Sequence, residues 1–284
     1  MYILNRPELS PEEQKLPLAR FYNLPLSMPS PLQQQIIDAG PMDPQYAIRA
    51  QHMVDLLIPT GYHDVEYGYC MMDDGCGYIA TYSVYPGCTP KMLAWYFRWL
   101  NVHTSGMPAD KGNIKYKIWC PPDHYDHGFI NGKNRDGGIY TVESLDLGQG
   151  EDKFYTVRHP FDLKQVGLTD ELEQELKEAG CWLDCAWESF HTLDGSHRRL
   201  PATHLCLTMS RPHPLGGMEK CTREWIGYGI KDGKVWFDES TPQEMLCEDY
   251  LKKVLIHGTV EAQHLSKFLP ELYELYHDKP DDMD

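Results

Sequence analysis

TPQEMLCEDYLKKVLIHGTVEAQHLSKFLP, residues 241–270, is the stretch on which the reading of the fold turns. Thr241 followed by Pro242, with Glu244 completing a capping box, marks a helix start, and Pro270 marks a stop, so a long helix is predicted from 241 to about Leu269. His257 and Glu261 are four residues apart and therefore share one face, one turn from each other. Val254 and Leu265 on the same stripe are apolar, so this face is expected to point inward, where an unpaired carboxylate is costly and calls for a cation. Gly258 costs about 1 kcal/mol in a helix interior and signals a close approach to the backbone. His264, one turn on, is a rival ligand or, more simply, a helix-surface residue.

Upstream of this helix lie segments with strand character: Asn113 to Cys120, Gly138 to Leu145, Lys153 to His159, Cys181 to His191, Ala202 to Ser210, and a hairpin from Trp225 to Phe237 turned at Asp232-Gly233. Thr89-Pro90 opens a helix through KMLAWYFRWL, and an acidic helix runs from Asp170 to Ala179 before Gly180. An antiparallel sheet followed by one long helix reads as α+β, with a curved sheet enclosing a cavity against the helix. The opening residues differ: eight of the 21 prolines fall within the first 44 positions, with short helices signalled at Ser30-Pro31 and Asp43-Pro44. The division expected is an N-terminal helical arm, residues 1–63, and a main domain, residues 64–284.

Composition narrows the function. With 42% hydrophobic and 12% aromatic residues the chain has material for a packed core. A net charge of -16 without any run of Lys and Arg argues against nucleic acid. No apolar stretch approaches the ~20 residues that span a bilayer, and the N-terminus has no secretory pattern. The nine cysteines are scattered and odd in number, which reads as reduced thiols and a cytoplasmic location. GxSxG, P-loop, GxGxxG and HExxH motifs are absent, so serine hydrolases, nucleotide enzymes and zincins lose support.

What remains is a set of imidazoles and carboxylates. PPDHYDH, residues 121–127, follows an expected strand end, where functional groups are commonly mounted. An imidazole from this loop, with His257 and Glu261, makes three ligands of the kind that hold zinc. Glu143, in GIYTVESL, is the candidate for a fourth, with Glu151 in the next loop as the fallback. Tyr116 alternates with Ile114, Ile118 and Cys120 and is expected to point inward, away from Lys115 and Lys117. His204 shares a face with the small residues Ala202, Cys206 and Thr208, leaving space beside its ring.

YPGCTPKMLAWYFRWL (85–100), KIWCPPDHYDH (117–127), TREWIGYGI (222–230) and HGTVE (257–261), in this order, resemble the phloretin hydrolase and diacetylphloroglucinol hydrolase family over roughly Tyr67 to Leu269. The resemblance implies a zinc hydrolase that cleaves the carbon–carbon bond between a phloroglucinol-type ring and an acyl carbonyl. It also implies a helix-grip fold similar to Bet v 1 and a homodimer held by the N-terminal arm. Carried over, His124, Glu143, His257 and Glu261 hold Zn2+, while Tyr116, His127 and His204 act on the substrate and Tyr228 contacts it. His127 stands where the family has a polar residue such as Asn. The dimer has a second motive, since Ile36, Ile37, Met53, Leu56 and Leu57 of the arm have little sequence of their own to cover them. The competing reading is a non-catalytic carrier of hydrophobic aromatic ligands.

Overall fold

The structure, a computed structural model, describes residues 5–101, 114–130, 138–148 and 152–279. It is an α+β chain with an eight-stranded antiparallel sheet in the order β1-β2-β8-β7-β6-β5-β4-β3. The strands are β1 (Gly68–Met71), β2 (Gly77–Tyr85), β3 (His124–Phe129), β4 (Ile139–Glu143), β5 (Phe154–Pro160), β6 (Trp182–His191), β7 (Arg199–Pro212) and β8 (Met218–Ile226). A separate hairpin, β9 (Tyr228–Lys231) with β10 (Lys234–Phe237), turns at Asp232-Gly233 as expected. The helices are α1 (Ala19–Tyr22), α2 (Pro31–Ala39), α3 (Pro90–Trp99), α4 (Ile114–Lys117), α5 (Asp170–Glu178) and α6 (Glu248–Tyr276). Among the described residues no helix is long and apolar enough to cross a membrane.

Helix α6 packs chiefly on β1 and β2, with α3 against its C-terminal half. Its bounds differ from expectation at both ends. Residues 241–246 form a separate turn, with the amides of Met245 and Leu246 donating to Pro242 O, and the helix proper begins at Glu248. Pro270 lies inside it. The proline removes the amide that would bond the carbonyl of Ser266, four residues back. That oxygen accepts instead from the Cys88 thiol at 3.7 Å, and the helix continues to Tyr276. His264 is fully buried against Phe268 rather than on the helix surface, and burial lowers its pKa to about 3.

The segment expected as a strand from Asn113 to Cys120 is, over its described residues, the single helical turn α4 followed by a tight turn, with Ile118 N bonded to Ile114 O and His124 N to Cys120 O. Residues i and i+4 share a helix face as residues i and i+2 share a strand face, so a short apolar pattern does not separate the two. Pro121 and Pro122 have no amide to donate to a ladder. Lys115 is not solvent-facing: it is buried, with its ammonium 4.5 Å from the Trp99 ring centre.

The arm is covered by its own chain. Met53, Leu56 and Leu57 are at most 2% exposed in one cluster with Tyr78, Leu205 and Trp225, and Ile37 is 1% exposed beside Ile79 and Val260. Their burial removes the apolar motive for an arm-held dimer.

Candidate metal centre and cavity

The β3–β4 register pairs His124 directly with Glu143, and a bulge follows between His124 and Asp126. The bulge puts a kink beside the site and re-aims the residues after it, among them His127. From the opposite side α6 brings His257 and Glu261. The four groups expected as ligands converge. Glu261 Oε2 lies 3.7 Å from both His124 Nε2 and His257 Nε2, and Glu143 Oε2 lies 3.7 Å from His124 Nε2. Ligand atoms of His124, Glu143 and His257 all fall within 4.8 Å of one another. Ligand bonds of about 2.0–2.1 Å in a tetrahedron give edges of about 3.4 Å, so the set is slightly wider than a loaded site. Glu151 lies outside the described residues.

The imidazoles are oriented for ligation. His124 Nδ1 faces the Tyr116 backbone oxygen at 3.1 Å, and His257 Nδ1 faces Asp123 Oδ2 at 2.8 Å. Both Nε2 atoms are thereby turned toward the carboxylates. His124 Nε2 is buried with no hydrogen-bond partner among the described residues, a vacancy in the bonding that a divalent cation would satisfy. Burial, reinforced by His257, holds the His124 pKa well below the usual imidazole range, so this ring is neutral, the form in which an imidazole can bind a metal. Burial pushes Glu143 up to about 7 and raises Glu261 as well. Burial alone would lower His257, yet its hydrogen bonds to Asp123 and Cys120 outweigh it and raise the pKa. A cation bound among these carboxyls would offset the cost of burial and favour their charged form.

The ligand cluster opens on a cavity of about 170 Å³ between α6 and the inner face of β4–β8. Tyr116, His127 and His204 line it; Tyr228 does not. The expectation that Tyr228 meets substrate is corrected: it sits in β9, its hydroxyl donating to Asp74 at 2.9 Å and accepting from Gln51 at 2.9 Å. The Tyr116 ring stacks on His124 with centroids 3.9 Å apart, and its hydroxyl donates to Glu143 Oε2 at 2.6 Å, so it braces the site. His127 Nε2 donates to Asn101 Oδ1 at 2.7 Å, and its Nδ1 is buried and unbonded among the described residues. Burial lowers its pKa to about 3, leaving a neutral ring that accepts at Nδ1. His204 Nε2 lies 2.8 Å from Glu224 Oε2; burial lowers its pKa, but Glu224 outweighs burial and the net shift is upward.

A charged wall escaped the sequence reading. Arg158 on β5 donates to Asp184 at 2.5 Å and to Glu188 at 3.4 Å, both on β6, and all three line the cavity. On β8, Lys220 reaches to 3.7 Å from Glu261. Lys220, Thr222 and Glu224 on β8 share one face, as do Asp184 and Glu188 on β6, but only the placement of the strands shows that these faces meet the cavity.

The chain matches the family model described as the DAPG hydrolase PhiG domain over residues 48–274. It is similar to a 2,4-diacetylphloroglucinol hydrolase from a Pseudomonas species, 22% identical over 274 aligned positions that cover 90% of this chain and 87% of the relative. A protein of the same name from Pseudomonas protegens is also 22% identical, with 90% of this chain and 83% of the relative covered.

Proposed function

The chain belongs to the DAPG hydrolase family, and from that premise we propose that it is a zinc-dependent hydrolase of acylphloroglucinols, of which phloretin is one, breaking the bond between ring carbon and acyl carbonyl. The observation that carries the zinc assignment is the convergence of His124, Glu143, His257 and Glu261 around an unbonded imidazole nitrogen. Two imidazoles and two carboxylates are a donor set suited to zinc. Bound there, zinc would act as a Lewis acid and lower the pKa of a water to about 7.

The chain's own residues supply the rest. The acyl-bearing ring carbon first takes up a proton as an ortho hydroxyl gives one up, which makes that ortho position a ketone. Oxygen from water then bonds to the acyl carbon, the carbon–carbon bond breaks, and its electron pair restores the aromatic ring and leaves charge on the ortho oxygen. His204, kept protonated by Glu224, donates to that oxygen as charge develops on it, and His127 Nδ1 accepts from a ring hydroxyl. Tyr116 keeps Glu143 in place. The proton that reaches the acyl-bearing carbon before the bond breaks is carried by Glu188, a cavity carboxylate outside the ligand set.

Elemental analysis of the purified protein, with a product screen on acylphloroglucinols, tests the proposal. It expects one zinc per chain and release of a phloroglucinol ring with a carboxylic acid. Metal-free protein that merely binds these ketones contradicts it and favours a carrier.

A further inference from the structure

We infer that Asp123 is a positioning residue that assembles the metal centre by tying together three of its four ligands; the inference rests on the zinc site proposed above. Asp123 is 0% exposed and immediately precedes His124. Its Oδ2 accepts from His257 Nδ1 at 2.8 Å. Its Oδ1 accepts from the Ser144 hydroxyl at 2.9 Å and the Gly148 amide at 3.2 Å, and its backbone oxygen accepts from the Ser144 amide at 2.9 Å. Ser144 immediately follows Glu143. One buried carboxylate therefore neighbours the first ligand in the chain, grips the residue next to the second, and holds the ring of the third.

The chemistry of the contacts specifies a carboxylate. Three donors point at the two oxygens, and an ionised carboxylate is acceptor-only. An amide in its place would turn its NH2 toward at least one donor. Accepting at Nδ1 also sets His257 in the tautomer that frees Nε2 for ligation and makes that nitrogen a stronger donor to the cation. Cys120, Asp123 and His257 have ligand atoms within 4.8 Å of one another, but the Asp123 oxygens are already engaged by these donors, which makes the trio a support and not a second ion site.

The test compares full-length wild type, Asp123→Asn and Ser144→Ala after metal removal. Zinc affinity is read by competition with a chromogenic chelator, and ligand geometry by the visible bands of cobalt(II) loaded in its place. Asp123→Asn is expected to bind zinc about 10- to 100-fold more weakly, with shifted cobalt bands and a cooperative unfolding transition in the metal-free form. Ser144→Ala is expected to weaken zinc by less than tenfold. Wild-type affinity and unchanged bands in Asp123→Asn overturn the inference, as does a second zinc per wild-type chain that this substitution abolishes. Should Asp123→Asn fail to fold, Ser144→Ala decides alone, and unchanged zinc affinity there overturns it. Wild type that takes up no zinc contradicts the zinc reading itself and takes this inference with it.

Discussion

The His204 imidazole shows how a single pairing decides chemistry. Left to burial it would be neutral at pH 7; Glu224 at 2.8 Å raises its pKa above the ordinary value of 6.5. A raised pKa keeps the proton on the ring to higher pH than an ordinary imidazole would and gives it up as pH climbs, so turnover should fall on the alkaline side. Removing the partner's charge with Glu224→Gln should move that limb to lower pH in a pH–rate profile, with zinc content unchanged. His204→Ala should lower turnover by one to three powers of ten, the span of one lost electrostatic donor. Of the residue-level reading, His257 and Glu261 were legible because helical spacing puts them on one face whatever else happens. Tyr116 was found by a faulty route, since the strand that was to point it inward is a helical turn. Asp123, Arg158, Glu188 and Glu224 were not singled out as site residues, because nothing local distinguishes a charged residue facing a cavity from one facing water.

At the scale of elements, β8 explains why the sheet was under-read. Its residues, MEKCTREWI, are buried throughout, although five of the nine are polar or charged. Lys220, Thr222 and Glu224 face the cavity, while Glu219 and Arg223 face the arm and are paired with Arg211 and Glu66 at 2.5 and 2.6 Å. A strand polar on both faces has no hydrophobic alternation to detect. In α6, Gly258 lines the cavity, and a Cβ there would meet only the Thr81 methyl at 3.6 Å, an ordinary contact. Gly258→Ala should therefore raise stability by up to about 1 kcal/mol in chemical denaturation while reducing kcat/KM, because the methyl takes space from the substrate. Loss of stability in that variant would mean that the helix and β2 have no such room.

For the whole molecule, the arm is a layer of the fold. Trp225 Nε1 donates to Ile48 O at 2.7 Å, Arg211 to Ile58 O at 2.6 Å and Gly61 O at 2.5 Å, and apolar side chains of the arm seal the outer face of β2, β7 and β8. Removing residues 1–62 exposes Tyr78, Leu205 and Trp225 together, so the shortened chain should lose cooperative unfolding and aggregate; a well-folded, active product would show the arm to be dispensable. The α+β class and the C-terminal helix were legible from periodicity, while Pro242 and Pro270 misplaced both ends of that helix. The arm's attachment was not legible, because it depends on contacts between residues far apart in the chain, up to 177 positions for Ile48 and Trp225. Water-dependent cleavage of a ketone carbon–carbon bond in this cavity is the activity that every role proposed above serves. Zinc-loaded protein turning over an acylphloroglucinol once in 18O-labelled water, with products read by mass spectrometry, should place a single label in the carboxylic acid and none in the ring. Intact substrate after prolonged incubation, or an unlabelled acid, would contradict it.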